Sequence, residues 1–226
     1  PDKPSKEETK PLDPKDYKDG LVAVKKIESY ISSKGIKGNQ ARALYRVNDY
    51  TNNSIIQKKL SSNRKAPLVF FFEGDGSYSY KQEDHPEGRY GAMAIVVING
   101  EIKYTSKNAS TLPDYESKYK TVKDGVYEFV GGLHLSTYPA LRIRNGAPVP
   151  ATKGSQKKEC TAEGVNIHQG YNADKKPKPT STACITVHKD EYVRFLSSVG
   201  VVKNSLNEKA NPVEGLAILD RKDRTK

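Results

Sequence analysis

The feature that most constrains the fold is a change in the spacing of apolar residues at Pro67. Over residues 19–64 apolar residues recur every three or four positions, which is the spacing of amphipathic helices. After Pro67 they come in short runs, such as residues 68–72 and 92–98, that are bounded by turn residues. Runs of this length are typical of strands. The sequence therefore predicts a helical segment over residues 19–64 and a mainly β domain with flanking helices, an α+β fold, over residues 65–226.

Several elements can be predicted from local signals. Asn39 is expected to cap a second helix, and Ser54 is expected to open a third one through a capping box. Asn99 and Gly100 join two apolar runs and predict a hairpin. A helix with an apolar face is expected before Gly200. Residues 215–219 form a last apolar run, which is interpreted as an edge strand, and residues 221–226 are interpreted as a charged tail.

The first 18 residues carry four prolines, dense charge of both signs and almost no apolar side chains. Such a composition predicts a disordered linker, because too little apolar surface is present to offset the loss of chain entropy. The chain starts without methionine, which is compatible with a processed, exported protein. In that case the linker would be the spacer that follows an anchor or signal sequence.

Composition narrows the possible partners. The formal net charge is +11 over 226 residues, which favours an anionic partner. No nucleic-acid-binding motif is present and the lysines are spread along the chain, so nucleic acid is not predicted. No apolar run reaches the length of a transmembrane helix. The four histidines are scattered, so neither a metal site nor a cofactor is predicted.

The strongest chemical signal is a histidine and a cysteine sixteen residues apart, His168 and Cys184. Val165 and Ile167 precede the histidine and alternate with polar residues, and a second alternating run follows the cysteine. If the apolar residues of both strands point into the core, His168 and Cys184 share the opposite face, provided that the strands are neighbours. An imidazole beside a thiol is the minimum for nucleophilic cysteine chemistry. This interpretation requires that Cys184 is not paired with Cys160.

The same stretch resembles the catalytic motif of the L,D-transpeptidase (YkuD-like) family. There a histidine in an I-H-x-G phrase is followed by Ser/Thr-His-Gly-Cys, and here the phrases read Ile167-His168-Gln169-Gly170 and Ser181-Thr182-Ala183-Cys184. Thr182 replaces the second histidine of the family, Ala183 replaces its glycine, and Thr186 replaces a frequent Arg or Asn. The chain is therefore similar to a divergent member. A D-G-x-Y phrase at residues 124–127 also resembles the family.

The resemblance implies a mixed β-sheet, barrel-like sandwich and acyl transfer on the stem peptides of bacterial peptidoglycan. It implies Cys184 as nucleophile, His168 as base and the backbone of Ala183 as oxyanion donor. The residues expected to bind substrate are Gly170, Ser181, Thr182, Thr186, His134 and Tyr138. The implied partners are stem peptides and, through the net charge, anionic cell-wall polymers. The implied location is the periplasm or cell envelope of a bacterium.

Three alternatives remain open at this point. The same Cys–His pair could serve an L,D-carboxypeptidase or a wall-degrading hydrolase, since only the acceptor differs from that of a transpeptidase. The chain could also be a non-catalytic domain that binds the cell wall, for which the replacements Thr182 and Ala183 are the evidence. Lysines beside the site, at positions 153, 157, 158, 175, 176 and 178, could attract substrate carboxylates or could simply be solvated.

Overall fold

The computed structural model describes residues 19–78, 90–113, 116–171 and 183–222. The predicted linker over residues 1–18 and the lysines at 175, 176 and 178 lie outside these ranges. The strands are β1 Leu68–Glu73, β2 Ala92–Ile98, β3 Glu101–Ser110, β4 Lys120–Val122, β5 Gly125–His134, β6 Tyr138–Ile143, β7 Val149–Lys153, β8 Lys158–Ala162, β9 Asn166–Gly170, β10 Ile185–His188 and β11 Glu214–Asp220. The helices are α1 Val24–Lys34, α2 Gly38–Arg46, α3 Ser54–Ser62 and α4 Lys189–Val199, and Val47–Tyr50 forms a 3₁₀ turn.

Eight strands form a closed barrel in the order β1-β11-β5-β6-β9-β10-β3-β2. Most neighbours are antiparallel, and two pairs, β1 with β11 and β9 with β10, are parallel. This architecture confirms the prediction of a mainly β fold with flanking helices. The hairpin between β2 and β3 turns at Asn99 and Gly100, which both have positive φ, as the sequence predicted.

The barrel is filled by one hydrophobic cluster that includes the apolar face of α4. Tyr192 and Phe195 of α4 are fully buried among the strands, and the Tyr192 hydroxyl donates to the Ile167 carbonyl at 3.1 Å. Gly200 ends this helix with a φ of 92°, a left-handed conformation that glycine adopts without strain. Helix α4 directly follows β10, so it holds the C-terminal end of that strand in place.

A second hydrophobic cluster joins the N-terminal helices to the outside of the barrel. Ile27 of α1, Leu44 of α2 and Ile56 of α3 pack against Phe70 and Ile218 on the outer face of β1 and β11. All five side chains have no exposed surface. The segment 19–64 therefore packs on the outside of the barrel through this second cluster.

A three-stranded antiparallel sheet in the order β4-β7-β8 stands apart from the barrel. Its apolar residues Val122, Val149 and Ala151 join the barrel cluster together with Val165 and Ala183. The small sheet thus lies against the start of β9 and the residue that precedes Cys184. No local sequence signal predicts these three strands.

Three expectations from the sequence are wrong. Residues Glu214–Asp220 do not form an edge strand, because β11 lies between β1 and β5 and is buried from Gly215 onward. Asn53, not Ser54, caps α3, since its side-chain oxygen accepts from the N–H groups of Ile55 and Ile56. Helix α2 begins at Gly38 with Lys37 as its cap residue, not at Asn39.

Arg221 is likewise no part of a free charged tail. Its guanidinium donates to the Thr111 carbonyl at 2.8 Å and pairs with Asp124 at 2.7 Å.

Across the described ranges, no helix combines the length and the apolar character that a membrane crossing would need.

Candidate active site

Strand β9, which carries His168, and strand β10, which Cys184 directly precedes, are adjacent in the barrel. They are parallel neighbours, with Ile167 opposite Ile185 and His168 opposite Thr186. Cys184 comes directly before β10, and the backbone N–H of Asn166 donates to its Sγ over 3.5 Å. The cysteine therefore lies beside the residue two positions before His168, and both cysteines of the chain are free thiols.

The two strands turn their functional residues to the same side. Ile167 and Ile185 lie in the barrel cluster with no exposed surface. Since successive side chains of a strand alternate between its faces, His168 and Thr186 point to the outer face. Cys184 precedes Ile185 and shares that face. The site is thus built on the outer wall of the barrel, away from the apolar interior.

His168 is held in a single orientation by the backbone. Its Nδ1 lies 2.8 Å from the carbonyl oxygen of Gln169. A carbonyl oxygen only accepts, so Nδ1 carries the proton and Nε2 keeps a free lone pair. The imidazole is 1% exposed, which restricts its motion further. A neutral imidazole with a free Nε2 is the form that can take a proton from a thiol.

His134, at the end of β5, lies flat against His168. The ring centroids are 4.3 Å apart and the planes differ by 23°. Asn166 fixes this second ring, because its Nδ2 donates to the Gly164 carbonyl at 3.0 Å and contacts His134 Nδ1 at 3.2 Å. The amide orientation follows from the Gly164 oxygen, which needs a donor. His134 Nδ1 is therefore an acceptor, and its proton is on Nε2.

Asn166 also presents an acceptor that no described residue uses. Its Oδ1 is buried and has no hydrogen-bond partner in the described part of the chain. Buried carbonyl oxygens are rarely left without a donor, because an unmade hydrogen bond costs about 1–3 kcal/mol. This oxygen is thus suited to an N–H group that arrives with a ligand.

Burial keeps both members of the pair neutral. It lowers the pKa of His168 to about 4, with a smaller contribution from neighbouring His134. Burial also raises the pKa of the Cys184 thiol. The backbone N–H of Asn166 favours the thiolate and opposes this shift in part. A preformed thiolate–imidazolium pair is therefore not favoured in this site. The proton would pass to His168 while a bond to sulfur forms.

The other predicted site residues surround this pair to different extents. Tyr138 starts β6, 5.3 Å from the ring of His134, and burial raises the pKa of its phenol well above the usual range. Thr186 is 4% exposed and lies on the same face of β10 as Cys184. Ala183 is buried and is not among the described residues with positive φ, so its backbone does not require glycine. Ser181 and Thr182 lie outside the described residues.

Gly170 has a packing role that the sequence did not reveal. A Cβ atom at this position would come within 2.3 Å of the Tyr90 hydroxyl, a distance that real contacts do not reach. The hydroxyl instead donates to the carbonyl of Tyr171, next to Gly170, at 3.0 Å. Tyr90 is fully buried and also meets the ring of His188, with centroids 5.2 Å apart. The glycine of the I-H-x-G phrase therefore lets Tyr90 close over the end of β9.

The sequence motifs did not indicate a role for Asn166. They predicted that His134 binds substrate, whereas its ring stacks on His168. Asn166 could have been found, since it precedes His168 by two positions on one strand and must share its face. The stack of His134 on His168 leaves no local trace, because 34 positions separate the residues in the chain. Within the described residues, no group of three or more His, Cys, Asp and Glu is arranged to hold a metal ion.

Comparisons with protein-family models, with curated proteins and with solved structures found no match for this chain. The geometry of the site and the resemblance of its motif are therefore the basis for inferring a function.

Proposed function

We propose that the chain is a cysteine acyltransferase of the L,D-transpeptidase type that acts on peptidoglycan stem peptides. The observation that carries the proposal is the placement of Cys184 and His168 on one face of two neighbouring strands, with Nδ1 of His168 held by a carbonyl. The resemblance of the I-H-x-G and S-x-x-C phrases supplies the substrate class. Such a substrate would place the chain in the bacterial cell envelope.

In the proposed reaction, Cys184 Sγ attacks the carbonyl carbon between the diamino acid and the following D-amino acid. The thiol proton passes to Nε2 of His168, the C–S bond forms and the C–N bond breaks. The leaving amine takes the proton from His168. An acceptor amine then attacks the thioester, releases the thiol and gives a crosslinked peptide.

Three features of the site support this sequence of steps. Backbone N–H groups near Ala183 and Cys184 are the candidate donors to the oxyanion. His134 stacks on His168, so charge repulsion would oppose protonation of both rings at once. The single proton that leaves the thiol would therefore be held on His168. Asn166 Oδ1 offers an acceptor for a substrate N–H close to the sulfur.

Water could resolve the same thioester, in which case the enzyme would be a carboxypeptidase. The products separate the two reactions, because hydrolysis gives a shortened peptide and transpeptidation gives a dimer or an exchanged D-amino acid. Both reactions require the same nucleophile.

The test is the substitution Cys184→Ala, assayed on purified stem tetrapeptides. We expect loss of about a thousandfold or more in rate, because removal of a covalent nucleophile costs orders of magnitude. The melting temperature should change little, since the substitution keeps the Cβ atom and removes a single sulfur atom. Incubation with a carbapenem, an acylating analogue, should add its mass to the wild-type chain at Cys184.

Cys160 provides the matched control. It lies on β8, is also a free thiol and is partly exposed. Cys160→Ala should keep activity and carbapenem labelling. Retention of activity in Cys184→Ala, or loss of activity in both variants, would show that the nucleophile is assigned wrongly.

A further inference from the structure

A basic cleft lies between the helical layer, strand β3 and helix α4. It has a volume of about 490 Å³, which is large enough for a small ligand or a short segment of a polymer. The lining contains neither Cys184 nor His168, so the cleft is distinct from the candidate active site. Its charged lining residues are one carboxylate, Glu191, and five cations, Lys34, Lys37, Lys103, Lys107 and Arg194.

The fold brings these cations together from separate parts of the chain. Lys34 is the last residue of α1, and Lys37 directly precedes α2. Lys103 and Lys107 lie on β3, and Arg194 lies in α4. Like charges that share one cleft repel each other, so the arrangement costs free energy unless an anion offsets the charge.

The described protein supplies little negative charge to this cleft. Lys103 pairs with Glu101, which is not part of the lining. The carboxylate of Glu191 already accepts from Nδ2 of Asn108 at 2.6 Å. Positive charge is therefore in excess at the cleft. Among the described residues, no carboxylate lies within ion-pair distance of the other four cations, Lys34, Lys37, Lys107 and Arg194.

Hydroxyl groups add hydrogen-bond donors to the cleft. Ser106 lines it and is 2% exposed, and its Oγ accepts from the backbone N–H of Asn108 at 3.0 Å. The Ser106 hydroxyl proton has no acceptor among the described residues. The hydroxyls of Tyr30 and Thr105 lie 3.2 Å apart and share one hydrogen bond, so one of them keeps its own proton to donate. Two hydroxyl protons are thus available to an oxyanion.

We propose that this cleft binds a chain of phosphate groups, either a free oligophosphate or a segment of a phosphate-ester polymer. Lysine and arginine bind phosphate oxygens through charge-assisted hydrogen bonds, and the hydroxyl protons supply further donors. Cations on three elements around the cleft suit a ligand with several phosphates better than a single phosphate ion. The proposal is independent of the proposed function, because it uses none of the residues of the candidate active site.

The experiment measures the binding of sodium tripolyphosphate to the wild-type chain by isothermal titration calorimetry. We expect tighter binding than for inorganic phosphate, because linked phosphates contact several cations at once. Citrate carries less charge and fewer oxygens, and it should bind several times more weakly than tripolyphosphate. Binding should also weaken as sodium chloride is added, because salt screens exposed charges.

Lys107→Gln and Arg194→Gln each remove one cation of the cleft. Both side chains are exposed, so the two variants should fold as the wild type does. Each should weaken the binding of tripolyphosphate about threefold to fivefold, and the double variant about tenfold or more. Lys25→Gln is the matched control, because it makes the same charge change at an exposed position of α1 outside the lining. It should change the affinity less than about twofold.

Equal losses of affinity in Lys107→Gln and Lys25→Gln would show that binding follows net charge alone, and would overturn the proposal. Absence of binding, or equal affinity for citrate, would overturn it as well. Competition by poly(glycerol phosphate) would identify the ligand as a polymer, whereas tripolyphosphate binding without such competition would identify a free oligophosphate. Cys184→Ala should bind tripolyphosphate as the wild type does, so a failure of the proposed function leaves this test unaffected.

Discussion

At the scale of single residues, the protonation state of His168 is decided by burial. An exposed histidine titrates near pH 6.5, whereas burial lowers the pKa of this imidazole to about 4. The bond from Nδ1 to the Gln169 carbonyl opposes this shift only in part. The result is a base that stays neutral and ready to accept a proton over the whole physiological range.

This shift predicts a pH dependence of stability. Because the folded pKa lies below the unfolded one, the unfolded chain binds the proton first as the pH falls. The stabilisation is fully present above the unfolded pKa of 6.5 and is lost as the pH falls to about 4. The loss from His168 alone should reach about 3 kcal/mol. Urea denaturation of wild type and His168→Gln at pH 7 and pH 4 measures this difference.

His134→Gln provides the comparison. Burial lowers the pKa of His134 as well, but this ring is only partly buried, so its removal should flatten the pH dependence less than removal of His168. If His168→Gln lost as much stability between pH 7 and pH 4 as the wild type, the neutral state of this imidazole would not be a consequence of folding.

At the scale of elements, one arginine connects the helical layer to the barrel. Arg46, at the end of α2, pairs with Asp75 in the turn after β1 and with Asp220 at the end of β11, both at 2.9 Å. The two carboxylates are 0% and 2% exposed. The guanidinium also lies 4.5 Å from the centroid of the Phe72 ring, and Tyr50 donates to Asp220 at 2.6 Å.

Removal of Arg46 should therefore be costly. Arg46→Ala leaves two buried carboxylates with reduced compensation, and the loss of one partner from a buried ion pair costs about 3–5 kcal/mol. Chemical denaturation measures the effect. Arg42, which also pairs with Asp75 but is 44% exposed, is the control, and Arg42→Ala should cost less than about 1 kcal/mol. Similar losses in the two variants would argue against burial as the cause.

The elements also differ in how far local sequence could predict them. The β2–β3 hairpin is specified by Asn99 and Gly100, whose positive φ values suit the turn, and α4 is specified by its apolar spacing and its terminal Gly200. Strands β7 and β8 carry few apolar residues and were missed. Such strands are stable only through pairing with neighbours that are distant in sequence, and no local signal reports that pairing.

At the scale of the whole molecule, the two faces of β1, β2 and β11 explain why the helices are needed. Val69 and Phe71 of β1 face the barrel interior, whereas Phe70 and Phe72 face the helical layer. The strand is apolar on both sides because both sides are covered. Without residues 19–64, the outer side would expose a continuous apolar surface.

Deletion of residues 1–64 should consequently abolish cooperative folding. The outer faces of β1, β2 and β11 would lose their cover, and a large exposed apolar patch favours aggregation. Thermal unfolding followed by circular dichroism, with light scattering, measures this outcome. Deletion of residues 1–18 alone is the control, and the composition of that segment predicts an unchanged melting temperature. A stable, monomeric fragment that starts at residue 65 would contradict the prediction.

The sequence alone determined the local features: the helical and strand-forming stretches, the main turns, and the faces of β9 and β10 on which His168 and Cys184 lie. These depend on apolar spacing and turn chemistry, which neighbours in the chain decide. Tertiary structure decided that β11 is enclosed, that His134 stacks on His168 and that the thiol and imidazole stay neutral. Each of these depends on the pairing or burial of residues that are far apart in the chain. Such residues come together only when the barrel closes.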